Sequence, residues 1–258
     1  MNLTDLLALI RSRHRVKRGK SFYPEYDLLA NTLPESEREG LLAASGTDME
    51  RLIFGHRGRP VDKPTHYPAI YDRYFGPYRG RPVRMLEIGV SLGGSLEIWR
   101  DYFGKDAVIF GIDINPACAE RVDAPNQVRI GSQADGDFLR SVVAEMGGID
   151  LVLDDGSHAA PHQAASFKAL WPLLAEGGLY AIEDLCTSYW RGDVSGGYRR
   201  AGTGLEQIKE MIDDMHQWYH GHDIRRVPAS EVLGIHVHDS IAFIEKGRKA
   251  PPRSITLG

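Results

Sequence analysis

Apolar and polar positions change rhythm near residue 83. From there, short apolar runs alternate with helix-spaced segments. The runs are VRMLEIGV (83–90), AVIFGIDI (107–114), NQVRIG (126–131), IDLVLDD (149–155) and GLYAIED (178–184). Between them, Gly93–Phe103, Asp135–Met146 and Pro161–Leu174 are spaced as helices. Runs of this length bounded by turn residues read as buried strands, and their alternation with helices predicts a mostly parallel sheet. Gly204–Tyr219 predicts one more helix. VLGIHVHDSIAFIEKG (232–247) holds two strands too close in sequence for a parallel crossover, so an antiparallel last strand is expected.

The first eighty residues lack this rhythm. Leu3, Leu6, Leu7 and Ile10 predict an amphipathic first helix, followed by short helices broken at Pro24, Pro34 and Gly46. Gly55–Pro82 is rich in glycine, proline and aromatics (Tyr67, Tyr71, Tyr74, Phe75, Tyr78) and fits neither a strand nor a long helix. The expected division is an auxiliary helical region over 1–80, covering the site or making an oligomer contact, and the main α/β domain over 81–258.

Charge and cysteine content narrow the function. A net charge of −4 gives no reason to expect nucleic acid as the main partner. The basic run Arg11–Lys20 reads as a solvated helix end, with an anionic-surface patch as the alternative. Cys118 and Cys186 are too few and too far apart for a disulfide scaffold or zinc knuckle, which predicts reduced thiols. The N-terminal apolar run is cut short by Arg11 and is followed by no small-residue cleavage site, so a cytoplasmic location is expected. No run is long enough to span a membrane.

The chemistry gathers at strand ends. Asp154 and Asp155 end one run, and Glu183 and Asp184 the next. In a parallel sheet both ends open on one edge, where open α/β sheets place ligands. Adjacent strands lie about 4.8 Å apart, so Asp155, Glu183 and Asp184 can converge on one hard cation such as Mg2+. Asp154 reads alternatively as part of a helix-capping turn. His158, three residues on, can face the same edge and take a proton from a substrate hydroxyl; its alternatives are a capping role or, with His162, a zinc pair interrupted by Pro161.

The preceding half reads as a nucleoside site. Glu87, Gly89, Gly93, Gly94 and Ser95 form the turn after the first strand, and Asp113 ends the second. Glycines there admit a ligand near the backbone, and a carboxylate at Asp113 suits a ribose diol. Ser91 replaces a dinucleotide glycine and Glu87 disfavours pyrophosphate; both favour a cationic donor, S-adenosylmethionine. Asp135 either lies beside the adenine or only caps its helix. Tyr189 and Trp190 either stack on a sugar face or pack under a loop, and 191–202 reads as a lid or substrate loop.

On VRMLEIGV, GGSLEIW, FGIDI, DLVLDDGSH, GGLYAIEDLCTSYW and IHVHDSIAFIEKG, the chain resembles the class I S-adenosylmethionine-dependent methyltransferases. Within them it is similar to the metal-dependent sugar O-methyltransferases of macrolide tailoring, over about residues 65–247. The resemblance implies a Rossmann-like seven-stranded sheet with a reversed last strand. It implies Mg2+ on Asp155, Glu183 and Asp184, His158 as base, and Glu87, Gly89, Ser95 and Asp113 against the donor. The implied acceptor is a sugar hydroxyl of a glycosylated natural product, glycolipid or polysaccharide, and a homo-oligomer is expected. A metal-dependent hydroxylase of the cephalosporin-hydroxylase-like branch and a non-catalytic adenosyl-ligand-binding protein are the other functions open to this pattern.

Overall fold

The strands β1 (Arg84–Ile88), β2 (Val108–Asp113), β3 (Gln127–Ile130), β4 (Ile149–Asp154), β5 (Leu174–Ile182), β6 (Val232–Val237) and β7 (Ala242–Lys246) form one sheet in the order β3-β2-β1-β4-β5-β7-β6. The first five pair in parallel, while β7 lies antiparallel between β5 and β6. The structure is a computed structural model describing residues 33–190 and 196–257. The expected first helix and basic run lie outside the described residues, as does part of the expected lid loop. The chain divides into two compact units, Met1–Arg38 and Glu39–Gly258, and the second holds the whole sheet.

The described helices are α1 (Glu35–Ala44), α2 (Asp48–Gly55), α3 (Tyr67–Phe75), α4 (Gly94–Phe103), α5 (Gly136–Met146), α6 (Ala160–Leu170), α7 (Gly204–Met215) and the single turn α8 (Gln217–His220). Successive strand residues face opposite sides of a sheet. One side carries Leu86, Ile88, Val152, Tyr180 and Ile182, packed with Leu139, Val143, Phe167 and Ile208 of α5, α6 and α7. The other carries Met85, Leu151, Leu153, Leu179 and Phe243, packed with Leu96 and Trp99 of α4 and with Met49, Tyr71 and Phe75 of α2 and α3. Residues 48–78 thus contribute buried side chains to the core of the sheet. None of the helices among the described residues is long and apolar enough to cross a membrane.

Three element boundaries differ from the expectation. The helix expected over Pro161–Leu174 ends at Leu170, and Trp171–Leu173 is a 3-10 turn. Pro172 contributes to this, since it has no N–H to donate to the Lys168 carbonyl, although Trp171 before it keeps helical geometry. Leu174 then starts β5, four residues before the apolar run that predicted it. The helix expected over Gly204–Tyr219 breaks at His216. Just before the break, the Asp214 carboxylate accepts the backbone N–H groups of Arg225, Arg226 and Val227, tying the helix end to the following loop.

Candidate functional site

Ile88, Asp154 and Ile182 stand level at the ends of β1, β4 and β5. The ladder continues one residue further: Asp155 N–H donates to the Ile88 carbonyl and Glu183 N–H to the Asp154 carbonyl, both at 3.0 Å. The strand period of two then sorts the acidic residues. Glu87 faces α3 and α4 with Met85, and Asp155 and Glu183 continue that side. Asp154 faces α6. There it is fully buried and accepts hydrogen bonds from Gln133 Nε2 and the Tyr180 hydroxyl, each at 3.0 Å, and from the Ser166 hydroxyl. Burial raises its carboxyl above the usual range against the pull of these donors. Asp154 is therefore a core group, away from the open edge.

On the other side the carboxylates converge. The ligand atoms of Asp155, His158 and Asp184 lie within 4.8 Å of one another. That is the span of two oxygens across an ion at about 2.4 Å, so a hard divalent cation fits, and Mg2+ at about 2.1 Å asks for a slightly closer set. His158 Nε2 faces Asp184 Oδ2 at 3.6 Å, and its Nδ1 is buried without a partner among the described residues. Glu183 sits deeper. Its Oε1 accepts from the Tyr71 hydroxyl at 2.6 Å and its Oε2 from the Lys63 ammonium at 2.8 Å. Lys63 also donates to Asp155 Oδ2. The Tyr67 hydroxyl donates to Asp184 Oδ1 at 3.2 Å. Burial and the neighbouring Asp155 push both Glu183 and Asp184 above the ordinary carboxylate range, while Lys63 opposes this. Such a cluster of mutually repelling carboxylates attracts a cation.

Backbone strain concentrates on the same edge. Ser91, His158 and Asp184 follow β1, β4 and β5, and all three have positive φ (50°, 54° and 52°). For a residue with a Cβ this costs on the order of 1–3 kcal/mol, and such strain is common where a fold fixes functional side chains. The Thr187 hydroxyl bridges the two strained loops, donating to the Asp184 carbonyl at 2.7 Å and reaching the His158 carbonyl at 3.4 Å.

The residues expected to hold the donor lie beside this cluster. Glu87 is fully buried; its Oε2 accepts from the Ser95 hydroxyl at 2.8 Å, and its Oε1 has no partner among the described residues. Burial pushes its carboxyl up to about 7, Lys63 pulls down and Asp155 pushes up. An unsatisfied buried carboxylate oxygen is costly unless a donor or cation reaches it. Gly89 has φ 96°, and a Cβ there would run into the Asp155 carbonyl oxygen, so only glycine lets the ends of β1 and β4 approach this closely. Asp113 accepts from the N–H groups of Val90 (3.0 Å), Ser91 (3.1 Å) and Asn115 (2.8 Å). Partial burial works against its charge, yet these three amides hold it below the usual range. It thereby fixes the turn after β1 as well as standing at its mouth. Asp135 caps α5, accepting from Asp137 N–H and Phe138 N–H.

Lys63, Tyr67 and Tyr71 are site residues that the sequence reasoning did not single out. Tyr67 and Tyr71 are four apart at the start of α3, which puts both hydroxyls on one helix face; that spacing was the available signal. Lys63 precedes the helix in irregular chain and carries no periodic signature.

Residues 86–185 match the profile of a family described as a methyltransferase domain. The chain carries a methyltransferase domain of the class I fold. The matched residues of the methyltransferase domain include Glu87, Asp113, Asp155, His158, Glu183 and Asp184, whereas Lys63, Tyr67 and Tyr71 precede them. The chain is 37% identical over 215 residues to an 8-demethyl-8-(2-methoxy-alpha-L-rhamnosyl)-tetracenomycin-C 3'-O-methyltransferase of Streptomyces olivaceus, covering 79% of this chain and 55% of that one. It is 39% identical over 194 residues to the mycinamicin VI 2''-O-methyltransferase of Micromonospora griseorubida, covering 69% and 47%. The chain spans about half the length of these curated relatives. Among solved structures it is similar to the MycE methyltransferase of the mycinamycin pathway in complex with Mg, SAH and mycinamycin VI. That match has a TM-score of 0.67 and 30% identity, and covers 90% of this chain and 66% of that one.

Beyond the acidic pair, the chain continues into the 3-10 turn Leu185–Tyr189, held by Leu185 N–H to the Ser240 carbonyl and Cys186 N–H to the Ser240 hydroxyl. Tyr189 is half exposed and stacks on Tyr198 with ring centroids 6.2 Å apart. These rings border a cleft of about 190 Å³ that also includes Thr203, Glu206 and Lys209. Trp190 follows at the edge of this turn. His238 and His236 lie elsewhere, bonded to the Tyr74 hydroxyl and to Glu245 respectively.

Proposed function

We propose that this protein is an S-adenosylmethionine- and divalent-cation-dependent O-methyltransferase acting on a sugar hydroxyl of a glycosylated natural product. The observation that carries the reading is the placement of two complementary anionic features on one sheet edge. Glu87 offers a buried oxygen with no partner among the described residues, and Asp155 and Asp184 offer carboxylate oxygens within the span of one cation, with the His158 imidazole beside them. Relatives named as sugar O-methyltransferases, and the Mg and SAH in the similar MycE structure, support the same reading.

In this reading Glu87 receives the donor's ammonium group, positioned by the Ser95 hydroxyl. Gly89 lets the backbone pass beside the donor, Asp113 orders the turn and faces the ribose, and Asp135 stands at the adenine side while capping α5. Asp155 and Asp184 hold the cation, and Glu183 joins them from the deeper position. A bound divalent cation supplies Lewis-acid polarisation of the acceptor hydroxyl. His158 Nε2 is the atom that takes the hydroxyl proton, and its strained backbone fixes the ring toward Asp184. Tyr67 and Tyr71 donate to Asp184 and Glu183, which orients both carboxylates. Tyr189 and Trp190 form the acceptor side, where an exposed ring offers an apolar face to a sugar.

The proposal includes a homo-oligomer in the cytoplasm, while residues 48–78 count with the main domain because their side chains are buried in its core. Calorimetry with the donor and with its demethylated product tests the first step. Saturable binding of both, lost on Glu87→Ala, is the expected result; a chain that binds neither is not a methyltransferase of this kind.

A further inference from the structure

Lys63 lies buried beneath the carboxylates. Its side chain is 4% exposed, and its ammonium bridges Asp155 Oδ2 and Glu183 Oε2, with Glu87 also close enough to act on its charge. Lysine is almost never fully buried without such partners. The segment that carries it runs from the end of α2 to the start of α3 and is fastened along its length. His56 Nε2 bonds the Arg59 carbonyl at 2.9 Å, Arg59 N–H donates to Glu97 at 3.0 Å, and the Arg59 guanidinium reaches Asp123 at 2.9 Å. A Cβ at Gly94 would run into the carbonyl oxygens of Arg59 and Pro60, so the strap lies directly on the first turn of α4. Lys63 is delivered to the cluster from a fixed support.

We propose that Lys63 is a built-in counter-ion of this cluster, and that a divalent cation binds by taking Asp155 and Glu183 away from it. The inference rests on the cation site proposed above. It follows from how the oxygens are engaged. Tyr71 bonds one Glu183 oxygen and Lys63 the other, which holds Glu183 beside, and outside, the mutually close ligand atoms of Asp155, His158 and Asp184. Asp155 also shares one oxygen with the ammonium. An ammonium and a metal ion held against the same two oxygens repel one another, so the metal binds better once the ammonium has moved away. A lysine suits exchange: it is a compact point charge on a flexible stem with rotatable donors. Before the metal arrives, Lys63 keeps Glu87, Asp155 and Glu183 from repelling one another apart. Metal binding is then an exchange of one positive charge for two.

The test is a Mn2+ titration of the full chain, followed by paramagnetic resonance, on wild type and Lys63→Met. Lys63→Met should bind Mn2+ at least about tenfold more tightly. Its metal-free form should melt at a lower temperature than wild type, and saturating Mn2+ should recover more of its Tm than it adds to wild type. Equal or weaker Mn2+ binding by the variant, with wild type binding normally, overturns the exchange and leaves the cation site standing. A wild-type chain that binds no Mn2+ removes the cation site and this inference together. Should Lys63→Met not fold without metal, amine acylation of wild type read by mass spectrometry decides instead. Labelling of Lys63 should rise on Mn2+ saturation, and unchanged labelling overturns the proposal.

Discussion

Replacing His158 with alanine should lower methyl transfer by on the order of 10²–10⁴-fold while donor binding is retained. The ring of His158 is set by a positive-φ backbone and a carbonyl tied to Thr187, and only its Nε2 faces the carboxylates, 3.6 Å from Asp184. The proposed donor contacts come from Glu87 and the turn after β1, so removing the imidazole leaves them in place. His162 is the control. Its Nδ1 pairs with the Ser157 hydroxyl at 2.8 Å and it stands outside the cluster, so His162→Ala should retain transfer. Mn2+ binding separates two roles for His158. Lost transfer with retained Mn2+ binding assigns it to the proton; lost Mn2+ binding assigns it to the cation. Near-normal transfer by His158→Ala removes it from the chemistry.

Glu87→Gln should stabilise the ligand-free protein at pH 8 by on the order of 3 kcal/mol relative to its effect near pH 4, and weaken donor binding at the same time. Burial pushes the folded-state carboxyl up to about 7 from an ordinary 4.5. Between those values the folded protein holds a proton that the unfolded chain has released. Glu87 therefore contributes its stability below about 4.5, and that contribution is lost as pH rises through about 7. Glutamine is nearly isosteric, keeps an oxygen for the Ser95 hydroxyl and has no charge to bury, so its advantage should grow across that window. Urea unfolding of both proteins at pH 4 and pH 8 measures the difference. A gain that is equal at the two pH values, or absent at pH 8, contradicts the account. The same ionisation makes donor binding by wild type tighten from pH 6 to pH 8, because the carboxylate form is the one that meets an ammonium.

The sheet was legible because buried parallel strands are continuous apolar runs, and here each ends in glycine or an acid. β1, β2, β3 and β4 fall where the runs place them. The strand period also separates Asp155 from Asp154, since neighbours in a strand face opposite sides; the Gln133, Ser166 and Tyr180 partners that make Asp154 a core residue come from three separate elements. The early start of β5 was hidden because Gly177 and Gly178 interrupt its apolar run. Lys63 and Tyr71 were hidden for another reason. They meet Glu183 across more than a hundred residues of chain, and an ion pair closed over that distance leaves no spacing in the sequence. The irregular stretch 55–82 thus read as cover, when it also supplies the cation and one hydroxyl that hold Glu183.

The most direct measurement is transfer of a labelled methyl group from S-adenosylmethionine to a panel of glycosylated natural products and free sugars, after chelation and again after Mg2+ or Mn2+ is restored. The account predicts no transfer from the chelated protein, recovery with the metal, and the label on a sugar hydroxyl oxygen. Transfer that survives chelation, or a label found on carbon or nitrogen, would contradict it.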